Sequence, residues 1–494
     1  MTQGSGLSDA YTATLTRLKA QKGNKSALGL KVLMWVLYSE RPLKAGELCH
    51  ALGVGLGSTD IDRGDIPAVR TLLASTLGLV TVEASSSTMR LVHFTLQEHL
   101  LSDQTLFHSP HSTIAKVCLT YLHFQCVKDL SPTLDSAPAT LPLLEYASCH
   151  WGEHTRKGVT ENVKILAMRL LDKFDEHISA QLLSLHYNGG KSYLSPEFNV
   201  EKGPIGFTGL HVTAFLGIVE IFAAVLEMKE WDVNTRDNAS CTPLIWAALR
   251  GHEGVVKMLL ERGGVNPDLA DHEYDVTPLG WAAFSGHMGV VKGFLEREVV
   301  NPGQATVYGQ KALYLAAENG HEGILKMFLE RGDFNPNQVS TRYSLTSLSA
   351  AAFNGHEGVV KMLLEREDVD PNIANTYDGR TPLSSAVGNG YERIVKMLLD
   401  RNDIRIDIQD RKNQTAHSLA LSKGHDKIAR MISERAASIS DTADPGNQES
   451  LPASARDEDE FIEETQLEDD HLNTNTADPV FPTVPSGCQG PSVL

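Results

Sequence analysis

Residues 242–267 read TPLIWAALRGHEGVVKMLLERGGVNP, and this stretch decides the fold. Thr242 is a good helix N-cap, and Pro243 suits the first helical position because its missing N–H needs no partner there. Leu244, Ala247 and Ala248 share one face at helical spacing, and the small alanines let a neighbouring helix come close. Gly251 ends the helix, in the left-handed conformation that glycine reaches cheaply. A second helix has Val255, Val256, Leu259 and Leu260 apolar and Lys257 and Glu261 outward, until Asn266-Pro267 stops it. The pattern predicts helix, turn, helix, and then an extended hairpin-like projection.

The unit returns. Gly251-His252 recurs as Gly286-His287, Gly320-His321, Gly355-His356, Gly390-Tyr391 and Gly424-His425, at steps of 34 or 35 residues, with a weaker copy at Gly217-Ile218. Nine residues before five of these glycines stand Thr242-Pro243-Leu244, Thr277-Pro278-Leu279, Lys311-Ala312-Leu313, Thr346-Ser347-Leu348 and Thr381-Pro382-Leu383. A period of this length means stacked supersecondary units, each too small to bury its own apolar face. The expected fold is mostly α: a solenoid of about seven helix-turn-helix-hairpin units. Binding, not catalysis, is the function such a stack suggests.

The succession of Thr-Pro-Leu, Ala-Ala, Gly-His, Val-Val and Leu-Leu resembles the ankyrin repeat over residues 205–435. The resemblance implies a protein ligand held on hairpin tips and on the concave face of the first helices. One departure is consistent. The family's histidine after Thr-Pro-Leu is replaced by Ile245, Gly280, Tyr314, Ser349 and Ser384, and only the first unit keeps it, as His211. The inter-repeat hydrogen bond of that histidine is therefore in doubt, which softens the expected stack. The Gly-His histidines lie a whole repeat apart and cannot converge on one ion, so they read as structural. Lys257, Lys292, Lys326, Lys361 and Lys396, each with an acidic residue four positions on, read as a solvated face with weak pairs.

Two sets of residues are candidates for partner contact. The tips carry tyrosine at Tyr274, Tyr308, Tyr343 and Tyr377, spaced 34, 35 and 34. Tyrosine offers a large amphipathic surface and is enriched at interfaces. Just ahead of the Gly-His pairs stand Arg250, Phe284, Glu318 and Phe353. The competing reading is that the tyrosines pack on neighbouring hairpins.

Residues 26–110 differ. Leu28–Tyr38 and Leu43–Leu52 read as helices, and Asp65 is expected to cap a third with Val69, Leu72, Leu73 and Leu77 apolar. Leu79–Glu83 and Met89–Phe94 alternate like strands around Ala84-Ser85-Ser86-Ser87. Thr95-x-x-Glu98 reads as a capping box opening a further helix. Three helices, a hairpin and a helix make a winged-helix pattern. From Leu28 to Leu101 there are six Lys or Arg against seven Asp or Glu, and the expected recognition helix offers only Arg70. Phosphate neutralisation needs a basic face, so nucleic acid is not the expected partner.

The phrases Leu30-Lys-Val-Leu-Met-Trp-Val-Leu, Arg41-Pro-Leu, Glu47-Leu-Cys-His-Ala-Leu and Leu91-Val-His-Phe-Thr-Leu-Gln-Glu-His-Leu resemble the segment behind the nucleotide-binding domain of fungal NACHT–ankyrin proteins, over residues 5–160. These are similar in plan to intracellular immune receptors. The resemblance implies a nucleotide-switched system whose repeats sense a ligand. A Walker A loop needs Gly-x-x-x-x-Gly-Lys-Ser/Thr, and the nearest string, Lys22-Gly23-Asn24-Lys25-Ser26, lacks both the second glycine and a preceding strand. No nucleotide-binding residue is assigned, and no cofactor or metal is expected.

The expected organisation is a residual linker (1–25), a winged-helix-like domain (26–110), a helical linker region (111–204), the repeats (205–435) and a disordered acidic tail (436–494). Residues 112–124, 143–156 and 161–177 look helical. His108, His111, Cys118, Cys126, Cys149 and His150 match no zinc spacing and read as core. The tail holds thirteen Asp or Glu against Arg456 alone, much of the net charge of −18. Irregularly spaced cysteines argue for reduced thiols, and no apolar run reaches the roughly 20 residues of a membrane helix. Cytoplasm, or the nucleus, is the expected location. No nucleophile elbow, His-Glu-x-x-His helix or dinucleotide fingerprint occurs, so no enzyme is expected. The main reading is a protein-interaction scaffold of the NACHT–ankyrin type; the rival is a winged-helix transcriptional regulator with ankyrin cofactor contacts.

Overall fold

The computed structural model describes residues 4–103, 105–134, 136–188, 206–228, 230–272, 274–297, 309–332, 334–340 and 344–442. Residues 1–316 with 321–335 form one compact unit, and residues 317–320 with 336–494 form a second.

The first unit begins with α1 (Gly4–Lys19), where a linker was expected. The polar composition of this segment hides one apolar edge: Leu15 and Leu18 are buried, and the Tyr11 hydroxyl meets Thr95 Oγ1 at 2.9 Å. Helices α2 (Lys25–Tyr38) and α3 (Ala45–Gly53) follow, then α4 (Val69–Ser75). Strands β1 (Val80–Val82) and β2 (Met89–Leu91) pair antiparallel, Val80 opposite Leu91 and Val82 opposite Met89. Lys44 bridges to Thr88, tying the wing to the segment before α3. Helix α5 (Phe94–Ser102) completes the winged-helix order. Two caps differ from expectation. Asp65 lies in a 3-10 turn capped by Asp62, and Ala68 stands at the N-cap of α4, because Pro67 breaks the helix between them. His93 caps α5 by accepting from the Thr95 N–H at 3.2 Å, so the Thr95/Glu98 capping box does not form.

In the described part of residues 111–204, where a helical linker region was expected, the chain forms five α-helices. Helices α6 (Pro110–Leu122), α7 (Gln125–Lys128), α8 (Leu144–Lys157), α9 (Glu161–Leu171) and α10 (Ile178–Asn188) pack around Tyr121, Tyr146, Trp151 and Phe174, all fully buried. The Ala147–Cys149 stretch and Leu170–Leu171 carry the apolar faces that meet their neighbours.

The repeats of the first unit pair α11 (Gly209–Leu216) with α12 (Val219–Met228), α13 (Pro243–Leu249) with α14 (Glu253–Glu261), α15 (Pro278–Phe284) with α16 (Met288–Leu295), and α17 (Gly309–Glu318), whose last two residues fall in the second unit, with α18 (Glu322–Arg331). First helices stack α11 on α13 on α15, and second helices stack α12, α14, α16 and α18 in turn. The pair α8–α9 continues this arrangement at the N-terminal end, α8 against α11 and α9 against α12. Contact there is close: a Cβ at Gly209 would lie 2.2 Å from the Leu171 carbonyl oxygen. The second unit pairs α19 (Ser347–Asn354) with α20 (Glu357–Leu364), α21 (Pro382–Gly388) with α22 (Glu392–Leu399), and α23 (Ala416–Lys423) with α24 (Asp426–Thr442). Helix α24 runs past the expected boundary at 435, and the acidic tail from 443 onward lies outside the described residues. No helix among the described residues is long and apolar enough to cross a membrane.

Each repeat's local signals act as read. Thr242, Thr277, Thr346, Thr381 and Thr415 accept from the backbone N–H three residues on, at 3.1–3.3 Å. Gly251 (φ +75°) lets the His252 N–H reach Ala247 O at 2.9 Å and its own N–H reach Ala248 O at 3.2 Å, the two bonds of a Schellman turn. Lys292–Glu296, Lys326–Glu330 and Lys361–Glu365 are exposed pairs at 3.7–3.9 Å.

Gly251 does more than turn the chain, since a Cβ there would sit 2.5 Å from the His287 ring, whereas one at Gly332 (φ +75°) would meet nothing. Gly332→Ala should cost about 1 kcal/mol, the left-handed strain alone. Gly251→Ala should cost about 1–3 kcal/mol more, through overpacking against the ring. All five tryptophans fall in the first unit, so tryptophan-detected urea unfolding reads both variants there. Equal losses would show that the ring contact contributes nothing.

Candidate interaction surface

The tips are shaped from within. Asp237 Oδ1 accepts from the Ala239 and Cys241 N–H groups (3.0 and 2.9 Å), and its Oδ2 accepts from Trp246 Nε1 at 2.7 Å. One repeat later, Asp271 accepts from the Tyr274 and Val276 N–H groups (2.6 and 3.1 Å) and from Trp281 Nε1 at 2.9 Å. In the second unit Asn375 Oδ1 accepts from Tyr377 and Asp378, both at 2.9 Å, and Asp410 Oδ1 from Lys412 and Gln414 at 2.8 and 2.9 Å. A buried carboxylate or amide with this many donors fixes a turn firmly. Burial nevertheless pushes the Asp237 carboxyl up to about 6.

Between tips, asparagine amides imitate a strand edge. Asn234 donates to Gly264 O at 2.7 Å and accepts from the Asn266 N–H at 2.8 Å. Asn337 does the same with Asp368 and Asp370, and Asn372 with Asp403 and Arg405. Lys311, standing where other units have the capping threonine, donates to the carbonyls of Tyr274 and Asp275.

Helix ends are joined by the Gly-His histidines. His252 Nε2 donates to Phe215 O (2.9 Å), His287 to Leu249 O (3.0 Å) and His321 to Phe284 O (2.9 Å). In the second unit His356 donates to Glu318 O at 2.9 Å. His211, the one histidine in the family position, accepts from the Thr208 N–H through Nδ1 and donates to Thr235 O through Nε2. The bond doubted from the sequence is absent from the later units, but a second set of histidines joins neighbouring repeats in its place.

The candidate contact residues divide. Tyr274 and Phe284 both meet Trp281 edge-on, with centroids 5.8 and 5.5 Å away, and are half-buried. The Arg250 guanidinium lies over the Phe215 ring at 4.8 Å while its side chain remains exposed. Glu318 is held through its backbone, its carbonyl accepting from both His356 and Asn354 Nδ2, and the Phe353 carbonyl accepts from Asn389 Nδ2 at 3.2 Å. Tyr377 is half exposed at its tip, 50%. Tyr308 and Tyr343 lie outside the described residues. The structure thus brings Tyr274 and Phe284 together on one tryptophan and leaves the others in separate repeats. Sequence reading missed Trp246 and Trp281, whose signal was the shared Thr-Pro-Leu-x-Trp phrase; Trp246 packs edge-on against Phe207 and Phe215.

Capped helix pairs, Asx-closed tips and histidine joints recur in each of the two units. The "Ankyrin repeats" family matches three times, at residues 177–271, 263–340 and 348–443, together more than half of the chain. The chain belongs to the ankyrin-repeat family. This ankyrin-repeat protein also matches "GPI inositol-deacylase, winged helix domain" over residues 15–114, which takes in the end of α1 and the whole winged-helix order. The crystal structure of the human ASB11 ankyrin repeat domain is similar at 22% identity, over 46% of this chain and 96% of that one, with a TM-score of 0.39. No curated protein matches.

Buried histidines also set the acid response of the first unit. Burial lowers His252 to about 4, with Arg156, Arg250 and His287 adding repulsion; burial likewise lowers His177 and His211 to about 4 and His154 to about 3. The unfolded chain binds these protons near 6.5 while the native unit refuses them, so stability falls as pH drops from about 6.5 to about 4. Tryptophan-detected urea midpoints should decline through that window. His252→Gln should make the slope shallower by about one proton. An unchanged slope would mean that His252 is protonated in the native fold.

Proposed function

We propose that this ankyrin-repeat protein is a non-enzymatic protein-interaction scaffold, the sensing and docking part of a NACHT–ankyrin-type system that works in the cytoplasm. The observation that carries the reading is the packing of α8 and α9 on α11 and α12, which makes the winged-helix region and the first repeats one compact unit. A ligand held on the repeats would then bear directly on the segment that, in such systems, adjoins the nucleotide switch. The winged-helix match over residues 15–114 is compatible with this plan. A contact surface is proposed on the tips and first-helix ends of each unit: Tyr274, Phe284 and Arg250 in the first, and Glu318, Phe353 and Tyr377 in the second; Tyr308 and Tyr343, outside the described residues, share the tyrosine spacing in the sequence.

Rigid tips suit protein recognition, because a preorganised surface loses little entropy on binding. A photo-crosslinking amino acid placed at Tyr274 or at Phe284 should capture the same protein in cells. Tyr274→Ala with Phe284→Ala should then lower its recovery about tenfold or more, as loss of aromatic anchors does, while the lost ring contacts with Trp281 cost only about 1–3 kcal/mol of stability. Parallel loss of folding and capture would assign both rings to packing and remove the site.

The winged-helix regulator remains the second reading. Arg90 on the wing is paired with Glu83 at 3.1 Å, and α4 offers Arg70 alone, which favours a structural wing. The full chain should show no salt-dependent binding to duplex DNA at low ionic strength. Saturable binding with a steep salt slope would reverse the ranking.

A further inference from the structure

Between the winged helix and the repeats, three ligand-type side chains meet. Glu40 follows α2, His111 opens α6, and His154 lies on the last turns of α8. One ligand atom from each falls within 4.8 Å of the other two. His111 Nδ1 and His154 Nδ1 face each other at 2.9 Å, and Glu40 Oε1 stands 3.7 Å from His154 Nδ1. None of the three lies in the repeat surface described above.

The arrangement around His154 fixes which nitrogen is available. Its Nε2 lies 2.8 Å from the Tyr146 hydroxyl, which also accepts from the Glu40 N–H at 3.1 Å. With Nε2–H donated to Tyr146, His154 presents an Nδ1 lone pair to His111 and Glu40. A histidine ligand whose other N–H is held by an oxygen is the usual second layer of a metal site. Two facing imidazole Nδ1 atoms also repel unless a proton or a cation lies between them. In the metal-free protein one of the two rings supplies that proton. His154 is fully buried, whereas His111 and Glu40 are only partly so, which leaves an approach from solvent.

We propose that Glu40, His111 and His154 form a site for one divalent transition-metal ion of the zinc type, bound through two imidazole Nδ1 atoms and one carboxylate oxygen, with water completing the shell. Two nitrogens and one oxygen are a donor set that zinc accepts at about 2.0–2.2 Å, and three protein ligands with an open position is a known arrangement. On binding, the ion takes the place of that Nδ1 proton, which passes to the same ring's Nε2 by exchange with solvent, so both ligands stay neutral imidazoles. The ion would fasten the end of α2 and the start of α6 to α8, the helix that packs on the first repeat. Lys157 Nζ, 2.7 and 2.9 Å from the two Glu40 oxygens, opposes the ion and tunes its affinity downward.

The test uses the full chain, stripped with chelator and titrated with Zn²⁺ by calorimetry, and with Co²⁺ to follow the visible band of a low-coordinate nitrogen-ligated ion. Wild type should take up one equivalent, gain melting temperature, and lose both with EDTA. His111→Gln, a substitution at a half-buried position, should abolish that equivalent. Tyr146→Phe, which keeps the ring in its core position, should weaken binding about 10–100-fold. Lys157→Met should tighten it. His154 is too buried for its variant to separate folding from binding, so these three substitutions decide. No saturable equivalent in wild type, or the same stoichiometry and affinity in His111→Gln, would overturn the site.

Discussion

Everything in the repeats depends on how one helix pair is joined to the next without a sheet to align them. The joint is an imidazole N–H donated to the last free carbonyls of the preceding first helix, with the ring lying over the glycine that ended that helix. Helix C-termini leave carbonyls without partners, and here the next repeat supplies the donor. Because the ring fills the space where a Cβ would stand, the glycine and the histidine require one another. Gly-His is therefore one device serving two adjacent repeats, which explains why its two residues recur together.

The same logic of borrowed partners runs through the tips. Asp237 and Asp271 turn inward, satisfy the hairpin N–H groups and clasp the indole N–H of Trp246 and Trp281, so that polar closure of the loop and placement of the aromatic face are one event. Tyr274 and Phe284 then rest against Trp281. A carboxylate buried this way would be costly alone; shared among several donors it becomes a rigid corner. Rigidity of this kind is what a recognition surface uses, since little freedom is left to lose when a partner arrives.

At the N-terminal end the stack does not stop at its first repeat. Helices α8 and α9 take the place of a further helix pair, and Gly209 allows α11 to approach the Leu171 carbonyl. The winged-helix region is attached to that pair through the buried ring cluster around Tyr146 and Trp151, with Trp35 of α2 6.2 Å from Tyr146. An end repeat of a solenoid has an apolar face to cover, and here a domain of different fold covers it.

Much of this was legible in the chain. Helix pairs, their threonine caps, the left-handed glycines and the order of the winged helix follow from local chemistry: a cap, a turn or an apolar stripe acts over a few residues and leaves its mark there. What the letters did not disclose is contact between distant segments. His252 reads as a turn residue until Phe215 is brought beside it; Asp271 reads as a loop polar residue until Trp281 closes on it; Tyr274, expected at the surface, leans on that same indole. Residues 4–19 read as a polar linker because two leucines on one edge are too few to stand out, yet α2 and α5 provide them a surface to pack against. Glu40, His111 and His154 share no spacing at all, and only the packing of α2, α6 and α8 brings them within reach of one another. Sequence fixes what each turn of chain can do by itself, whereas which groups share a partner is set by packing, because a hydrogen bond or a buried ring depends on distance in space and not along the chain.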